Sequence, residues 1–285
     1  MNYRHAFHAG NAADVMKHAA LARILLHLAR KDTPFRVLDT HAGAGLYDLG
    51  GAAAQRTGEA EAGIERLLDA DLPAPAAALL APYLDAVRRL RAERGPRFYP
   101  GSPVLALALS RPQDRFLFCE LNREEKAKLE RNAADGRAKI LSQDGYQAVR
   151  AHLPPRERRG LVLIDPPFEE PGEFARLTGA LEEAHARFAQ GMAMAWYPIK
   201  DLRAVDAFRR DVARLRMPKT LKIEFDFAEV RAQDTLSGSG LIVVNPPFTL
   251  QEEMRTLLTA IAPLLARDGK GRVRVAWLVG EPGAI

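Results

Sequence analysis

From residue 35 onward, short runs rich in β-forming residues alternate with longer stretches of helical pattern. Such alternation is typical of βαβ units around a parallel sheet, because parallel strands are joined by crossover connections that are usually helices. Near the end of the chain less helix separates the strand-like runs, which predicts an antiparallel edge. The predicted fold class is α/β, a Rossmann-like, mainly parallel seven-stranded sheet with an inserted helical subdomain. The runs predicted as strands are 35–39, 115–119, 139–142, 160–164, 192–196, 220–227, 240–244 and 273–279.

The alternation breaks once, between the first two predicted strands. About 60 residues rich in Ala, Leu and Arg intervene there, and the stretches 59–70 and 75–94 have helical patterns. We predict a single domain over residues 1–285, with a helical insertion at about 50–110 between the first and second core strands. The insertion either lengthens the scaffold or forms a wall for a large substrate, and both roles stay open.

The overall charge favours a polyanionic partner only weakly. The formal net charge is +5, and lysine and arginine residues that neutralise phosphates release condensed counterions. Two arginine clusters, within 88–97 and 156–159, are explained equally well as solvated faces.

Other classes of protein are disfavoured. The longest apolar runs fall far short of the roughly 20 residues that a membrane helix needs, so we expect no membrane partner. A lone Cys119 can form no internal disulfide, and the first residues lack the pattern of a signal peptide, so we expect a cytoplasmic protein. We expect no metal either, because the histidines at 5, 8 and 18 have no cysteine partners nearby.

The first predicted strand runs into a glycine-rich turn over residues 37–45. Gly43 and Gly45 let the backbone approach a ligand closely, and in open α/β sheets ligands bind outside the carboxyl ends of the strands. A dinucleotide-binding fingerprint would have a third glycine where Asp48 stands, which disfavours a pyrophosphate. Asp39 followed by this turn instead suits an adenosyl amino acid, S-adenosyl-L-methionine, as cofactor.

Two further predicted strands are followed by acidic residues, Glu120 and Asp144. In this architecture a carboxylate after the second strand can accept both ribose hydroxyls, and an acid after the third, here Asp144 beside Gly145, can meet an adenine amino group. Acids also close strands and cap helices, so each position alone leaves both interpretations open. As an ordered set behind the glycine turn, they favour a cofactor site.

A predicted helix near the N-terminus, at about residues 11–30, has polar groups on its inward face. The face that carries its apolar residues also carries Asp14, Lys17 and His18, nearer the N-terminal end of the helix. Such groups are costly to bury without partners. Either this face emerges at the edge of the sheet, or Lys17 or His18 faces the methionine carboxylate of the cofactor; we favour the second interpretation.

An apolar run over residues 161–164 ends in Asp165-Pro166-Pro167-Phe168. The prolines fix the backbone and lack N–H donors, which leaves carbonyl groups turned toward a ligand. The lone pair of adenine N6 is delocalised into the ring, so this nitrogen is a poor nucleophile until acceptors hold its hydrogens. The Asp165 carboxylate and the Pro166 carbonyl can be those acceptors, while Phe168 stacks on a flipped base. This centre predicts methylation of an adenine amino group.

A second segment, Asn245-Pro246-Pro247-Phe248, has the same pattern with Asn in place of Asp. Strand order decides between the two segments, because the catalytic one belongs beside the cofactor strand and Asn245 follows the seventh predicted strand. We therefore predict a structural or peripheral role for Asn245.

These segments resemble the ribosomal RNA large subunit methyltransferase J family over essentially the whole chain. The resemblance implies a class I S-adenosylmethionine-dependent methyltransferase that N6-methylates an adenine of 23S ribosomal RNA, with Asp165 as the catalytic acceptor. It is carried by Tyr3-Arg4-His5, Phe7-His8-Ala9-Gly10-Asn11, Ala13-Asp14-Val15, Lys17-His18, Leu38-Asp39-Thr40-His41-Ala42-Gly43-Ala44-Gly45, Arg56-Thr57-Gly58-Glu59, Tyr99-Pro100-Gly101-Ser102-Pro103, Arg159-Gly160-Leu161, Ile164-Asp165-Pro166-Pro167 and Trp196-Tyr197-Pro198.

The resemblance also implies roles for individual residues. Tyr3 and His5 are expected to touch the substrate RNA. The family's usual tyrosine after the prolines is Phe168 here, so the ring can stack but a phenolic hydrogen bond is lost. Cofactor contacts are implied at His18, His41, Ser102, Glu120, Asp144, Gly145 and Asp165.

Other hypotheses about function remain. A DNA adenine-N6 methyltransferase would share the reaction centre, although no separate DNA-reading domain is visible. A non-catalytic RNA-binding assembly factor on a degenerate scaffold is a third possibility, against which the intact Asp165, Glu120 and glycine turn weigh. A nicotinamide oxidoreductase is disfavoured by Asp48.

Overall fold

The computed structural model describes residues 5–229 and 236–280. The strands in chain order are β1 Arg36–Asp39, β2 Leu46–Asp48, β3 Phe98–Pro100, β4 Arg115–Cys119, β5 Ala138–Leu141, β6 Gly160–Ile164, β7 Met192–Ile199, β8 Thr220–Asp226, β9 Gly238–Val244 and β10 Arg272–Val279. The helices are α1 Ala12–Ala29, α2 Ala52–Thr57, α3 Arg66–Leu68, α4 Ala74–Arg94, α5 Ser102–Ala108, α6 Arg123–Asn132, α7 Gly145–His152, α8 Glu173–Arg187, α9 Leu202–Arg214 and α10 Leu250–Leu265.

The main sheet has the strand order β5-β4-β1-β6-β7-β9-β8-β10. Strands β5, β4, β1, β6 and β7 run parallel to one another, so their carboxyl ends lie along one edge, which we call the carboxyl edge. Strand β9 is antiparallel to β7, and β8 and β10 continue the antiparallel pairing. This arrangement is a Rossmann-like α/β fold, and the predicted antiparallel edge is present.

The predicted count of seven strands is wrong, because the main sheet has eight. All eight runs recognised in the sequence are strands of this sheet. The additional one is β10, which pairs along the whole of β8, from Arg272 opposite Asp226 to Val279 opposite Thr220. It covers backbone groups of β8 that would otherwise form the edge of the sheet.

Helices cover both faces of the sheet, as the sequences of its central strands require. Strand β6, Gly-Leu-Val-Leu-Ile, is buried along its whole length, which is typical of a parallel strand covered on both sides. Its side chains alternate between two apolar clusters, Leu161 and Leu163 packing with α1 and α10 on one face. Val162 and Ile164 pack with α7, α8 and α9 on the other face.

Between β1 and β4 the chain forms helices α2 to α5 and a small antiparallel sheet of β2 and β3. The predicted helix 75–94 corresponds to α4, but the predicted helix 59–70 is broken into a π-helical segment, Glu61–Glu65, and α3. The break is at Gly63, where a Cβ atom would lie 2.1 Å from the carbonyl oxygen of Gly10. Close contact with the N-terminal segment therefore overrides the regular helix.

No helix within the described residues is long and apolar enough to cross a membrane.

Candidate active site

The predicted site residues that follow β1, β4, β5 and β6 meet at the carboxyl edge of the sheet. Asp39 ends β1, Glu120 follows β4, Asp144 follows β5 and Asp165 follows β6. Parallel pairing of these strands brings four carboxylates to one edge. Lys17, from the first turns of α1, is the cation that reaches them, through Asp165.

The glycine turn holds the side chain of Glu120. Gly43 has a φ of +61° and Gly45 a φ of +73°, a backbone region that favours glycine. The Gly43 N–H donates to Glu120 Oε2 at 2.9 Å, and the Asn122 N–H donates to Oε1 at 2.7 Å. Burial raises the pKa of the Glu120 carboxyl, although these two donors oppose the shift. The half-buried carboxylate is thus held in one orientation at the carboxyl edge.

Asp39 is almost completely buried, at 1% exposure. Ser102 Oγ donates to its Oδ2 at 2.6 Å, and the His41 N–H donates to Oδ1 at 3.2 Å. Burial raises the pKa of Asp39 to about 7, with the Ser102 hydroxyl opposing the shift. The contact explains why Ser102 is beside the site: it is the first residue of α5 and reaches back to the end of β1.

Asp144 and Gly145 have clear structural roles at the start of α7. Asp144 is the N-cap, and its Oδ1 accepts the Gln147 N–H at 2.9 Å. A Cβ atom on Gly145 would lie 2.2 Å from the carbonyl oxygen of Thr40, so only glycine allows α7 to approach the glycine turn this closely. The helix-cap interpretation of Asp144 is therefore correct, and its position at the carboxyl edge leaves the ligand role open as well.

His41 lies where the start of α7 approaches the glycine turn. Its Nδ1 is 2.8 Å from Thr40 Oγ1, and its ring packs edge-on against Tyr146 at 5.3 Å between centroids. Burial lowers the pKa of His41 to about 4, so the imidazole is neutral at physiological pH. Thr40 is in turn anchored by donating to the Leu163 carbonyl of β6 at 3.0 Å.

Lys17 joins two carboxylates across the site. Its Nζ lies 2.5 Å from Asp165 Oδ2 and 2.9 Å from Asp14 Oδ1, and its side chain is 6% exposed. Burial opposes the charge, but Asp14 and Asp165 raise the pKa of Lys17 above its usual value. Asp14 is held in turn by His5 Nε2 at 2.9 Å and by the Gly10 N–H at 2.9 Å. The polar inward face predicted for α1 is thus paired within the protein.

His18, the next residue of α1, makes a different contact. Its Nδ1 lies 2.7 Å from the Tyr99 hydroxyl, which lies 2.8 Å from the Tyr83 hydroxyl. All three side chains are buried, and burial lowers the pKa of His18 to about 3. The imidazole is therefore neutral and joins α1 to β3 and α4.

The Asp165-Pro166-Pro167-Phe168 segment leaves the end of β6 with Phe168 in the left-handed region, at a φ of +53°. Perpendicular rings hold it there: Phe174 at 4.9 Å and Trp196 at 5.7 Å between centroids. The Trp196 indole N–H donates to Ser239 Oγ at 2.8 Å, and Lys17 Nζ lies 6.0 Å from the centre of the Trp196 ring. Sequence reasoning did not assign Trp196 or Phe174 to the site, since neither carries a local ligand-binding pattern.

Asn245 lies at the opposite edge of the sheet. Because β9 runs antiparallel to β7, its last residue, Val244, pairs with Ala193 at the beginning of β7. The Asn245 side chain donates to the carbonyl oxygens of Ala189 at 2.6 Å and Gly191 at 3.0 Å. The two similar tetrapeptides are therefore on different sides of the molecule, and Asn245 holds a loop.

The N-terminal residues are described from His5 onward, so Tyr3 lies outside the described residues. The His5 ring is half-buried and packs edge-on against Tyr47 at 4.9 Å. Together with its contact to Asp14, this packing places His5 beside the Lys17–Asp165 pair.

Several arginines of the two clusters bind groups of the protein itself. Arg91 pairs with Glu65, and Arg88 pairs with Asp85. In the second cluster, the Arg159 guanidinium donates to the carbonyl oxygens of Thr33 and Leu28. These contacts support a structural role for those side chains. Across the described residues, no group of three or more His, Cys, Asp or Glu side chains is arranged to hold a metal ion.

Comparisons with known proteins point to one family. A family model described as "Ribosomal RNA large subunit methyltransferase D, RlmJ" matches residues 32–279. Relatives named "Ribosomal RNA large subunit methyltransferase J" from Escherichia coli (strain K12) and Haemophilus influenzae are each 38% identical over 99% of this chain and 100% of their own length. The crystal structure of protein LPL1258 from Legionella pneumophila has a TM-score of 0.84 at 30% identity, covering 94% of this chain and 98% of that chain.

Proposed function

The chain belongs to the RlmJ family of ribosomal RNA large subunit methyltransferases, and from this membership and its site we propose that it methylates adenine N6 in 23S ribosomal RNA, with S-adenosyl-L-methionine as methyl donor. The observation that carries the proposal is the contact between Lys17 and Asp165 beside the Trp196 ring, against which Phe168 packs. This group can hold an amino group by its hydrogens next to a surface on which a base can stack.

The charges at the carboxyl edge fit S-adenosylmethionine in their chemistry. Asp39, Glu120, Asp144 and Asp165 lie along this edge, and such a set repels the phosphates of a dinucleotide but suits a cationic sulfonium ligand. The Glu120 oxygens each accept one backbone N–H and keep lone pairs for the ribose hydroxyls. Asp144 and Gly145 are suited to the adenine end, and His18 to the methionine end.

Bound S-adenosyl-L-methionine would supply an electrophilic methyl group on a positively charged sulfur, and its transfer to N6 would leave a neutral thioether and one surplus proton on N6. The protein's own contribution is to prepare and position N6. Asp165 Oδ1 and the Pro166 carbonyl accept the two N6 hydrogens, which draws the nitrogen toward tetrahedral geometry and frees its lone pair.

Lys17 determines which oxygen of Asp165 is available. Its ammonium group occupies Oδ2 at 2.5 Å, so Oδ1 is the acceptor that remains for the substrate. The same ammonium group is anchored by Asp14, which prevents the Asp165 side chain from rotating away. After transfer, the methylated N6 is strongly acidic, and the Asp165 carboxylate can take its proton and pass it to water.

Phe168 supplies the stacking surface. Its backbone conformation and its perpendicular contacts with Phe174 and Trp196 fix the plane of the ring. Base–aromatic stacking contributes about 1–3 kcal/mol per base, enough to compensate for much of the unstacking of a flipped adenine. A phenolic hydroxyl is not needed for this role.

We propose that residues 1–285 form one domain, because the inserted region at about 50–110 contributes to the site itself. It supplies Ser102, which holds Asp39, and Tyr99, which meets His18. We also propose that Tyr3 and His5 contact the RNA, since His5 lies beside Asp14 at the site. Ribosomal RNA as substrate implies action in the cytoplasm.

The experiment that tests this function supplies radiolabelled methyl groups. Purified protein is incubated with labelled S-adenosylmethionine and either large-subunit RNA that lacks the modification or duplex DNA, and the labelled nucleoside is then identified. We expect N6-methyladenosine in RNA with the natural chain and none with Asp165→Ala. Transfer to DNA alone would favour a DNA methyltransferase, and no transfer to any nucleic acid would favour a non-catalytic RNA-binding protein.

A further inference from the structure

A buried chain of three polar groups leads from the site into the inserted region. His18 lies on α1, Tyr99 on β3 and Tyr83 on α4, and their side chains are connected at 2.7 Å and 2.8 Å. Tyr83 and Tyr99 are fully buried, at 0% exposure, and His18 is 1% exposed. Three polar side chains in such a setting need a consistent direction of hydrogen bonding, because an unsatisfied buried donor is costly.

Only one direction gives both hydroxyl protons an acceptor. If His18 Nδ1 carried the proton and donated to Tyr99, Tyr99 would have to donate to Tyr83. The Tyr83 hydroxyl would then have no acceptor, since Tyr99 is its sole hydrogen-bond partner among the described residues. In the other direction Tyr83 donates to Tyr99 and Tyr99 donates to His18 Nδ1. Each hydroxyl proton then has an acceptor, and the imidazole proton must reside on Nε2.

The Nε2 atom has no hydrogen-bond partner among residues 5–229 and 236–280. Lys17, the preceding residue, contacts Asp165, and Asp14 and His5 are also close enough to influence His18. The Nε2–H group is thus a donor without a partner among the described residues, on the residue next to Lys17.

We propose that Tyr99, whose hydroxyl accepts from Tyr83, is a positioning residue that holds His18 in its Nε2–H tautomer, so that His18 donates a hydrogen bond to a carboxylate of the bound ligand. The inference rests on the proposed function, which identifies the ligand as an adenosyl amino acid. It adds that the inserted region, through α4 and β3, sets the affinity for the amino-acid end of this ligand.

The other charges at the site support a neutral donor in this place. Burial keeps the pKa of His18 low, so its neutral form predominates at physiological pH. Asp14 and Asp165 already hold two of the three donors of the Lys17 ammonium group. A neutral N–H donor can bind the carboxylate without adding a second buried cation beside Lys17.

The tautomer can be measured directly in the unmodified chain. Histidine is labelled with ¹⁵N, and two-bond ¹⁵N–¹H correlation spectra distinguish a protonated from an unprotonated ring nitrogen. The His18→Gln variant assigns the signals of His18 by their disappearance. We expect a neutral ring with the proton on Nε2. A proton on Nδ1, or rapid exchange between the two tautomers, would overturn the proposal whatever the activity of the protein.

A second measurement links the tautomer to the ligand. Affinities of the natural chain and Tyr99→Phe are compared by calorimetry for S-adenosylhomocysteine and for 5′-methylthioadenosine, which lacks the amino-acid end. We expect Tyr99→Phe to weaken S-adenosylhomocysteine about fivefold to tenfold and to leave methylthioadenosine unchanged. Equal weakening of both ligands would show a general packing defect and contradict the proposal, as would no weakening of either.

Tyr83→Phe is the matched control. It removes the outer hydroxyl but leaves Tyr99 able to donate to His18, so the affinity for S-adenosylhomocysteine should fall less than about threefold. A loss as large as that of Tyr99→Phe would contradict the assigned direction. If instead the natural chain binds neither nucleoside, or binds without methylating RNA, the proposed function fails while the tautomer measurement still stands.

Discussion

The ammonium group of Lys17 lies 2.5 Å from Asp165 Oδ2, so a helix near the start of the chain is joined to the carboxylate that follows the fourth strand of the parallel set. The same ammonium group lies 2.9 Å from Asp14 Oδ1. Asp165 is therefore held from the side opposite its own strand, and its free oxygen has a defined direction.

Replacing Lys17 should disrupt catalysis more than binding. Lys17→Met leaves Asp14 and Asp165 without their shared cation and lets the Asp165 side chain rotate, so we expect kcat to fall about a hundredfold with a smaller change in KM for RNA. Lys17→Arg keeps the charge and should retain more activity. Steady-state kinetics on both variants check this, and an unchanged kcat for Lys17→Met would show that Asp165 needs no such support.

The Phe168 side chain should act by stacking the face of its ring on the flipped adenine. Phe168→Ala removes the stacking surface and should raise KM for RNA or lower kcat by about tenfold or more, as the loss of one base–aromatic stack implies. Phe168→Tyr keeps the ring and should be tolerated. Strong loss of activity in Phe168→Tyr, with normal folding by circular dichroism, would mean that the site has no room for a hydroxyl and that stacking is not the limiting requirement.

Asp39 should make stability depend on pH. Burial raises its pKa to about 7 in the folded protein, whereas the unfolded chain has an ordinary carboxyl pKa near 4. The folded state thus binds the proton more tightly, so this contribution to stability is complete at acidic pH and is lost as pH rises toward 7. Urea unfolding at pH 5 and pH 8 should show the natural chain losing stability relative to Asp39→Asn. A difference that does not change with pH would rule out this titration.

Asn245 should matter for stability and not for transfer. Asn245→Ala removes hydrogen bonds to the carbonyl oxygens of Ala189 and Gly191, which predicts a loss of about 1–3 kcal/mol in the free energy of unfolding. Because Asn245 lies at the edge opposite Asp165, its replacement should change the activation free energy by only a few tenths of a kcal/mol. The value of kcat/KM should therefore stay within about twofold. A large fall in kcat/KM at a temperature where the variant is folded would give Asn245 a role that its position does not explain.

The positions of the strands and of the acidic residues after them could be predicted, because both are determined by short runs of consecutive residues. The five residues of β6 are apolar and Asp165 follows at once, so the strand and its terminal carboxylate are visible together. The same holds for Glu120 after β4. The strand count was wrong by one because only pairing partners, not composition, reveal that β10 lies beside β8.

Other parts of the site depend on contacts between distant residues. The hydrogen bond from Ser102 to Asp39 spans 63 positions, and the one between His18 and Tyr99 spans 81. No local pattern marks these partners: Ser102 begins a short helix that the sequence did not predict, and Tyr99 lies in a three-residue strand. Ser102 was identified only through the family resemblance, and Tyr83, Tyr99 and Trp196 required the structure.

The central claim is that this site methylates N6 of an adenine in 23S ribosomal RNA. Its most direct test is mass spectrometry of 23S RNA from cells that have or lack this protein, with the deletion complemented by the natural gene or by Asp165→Asn. We expect one N6-methyladenosine that disappears in the deletion, returns with the natural gene and does not return with Asp165→Asn. An identical set of methylated nucleosides with and without the protein would contradict it.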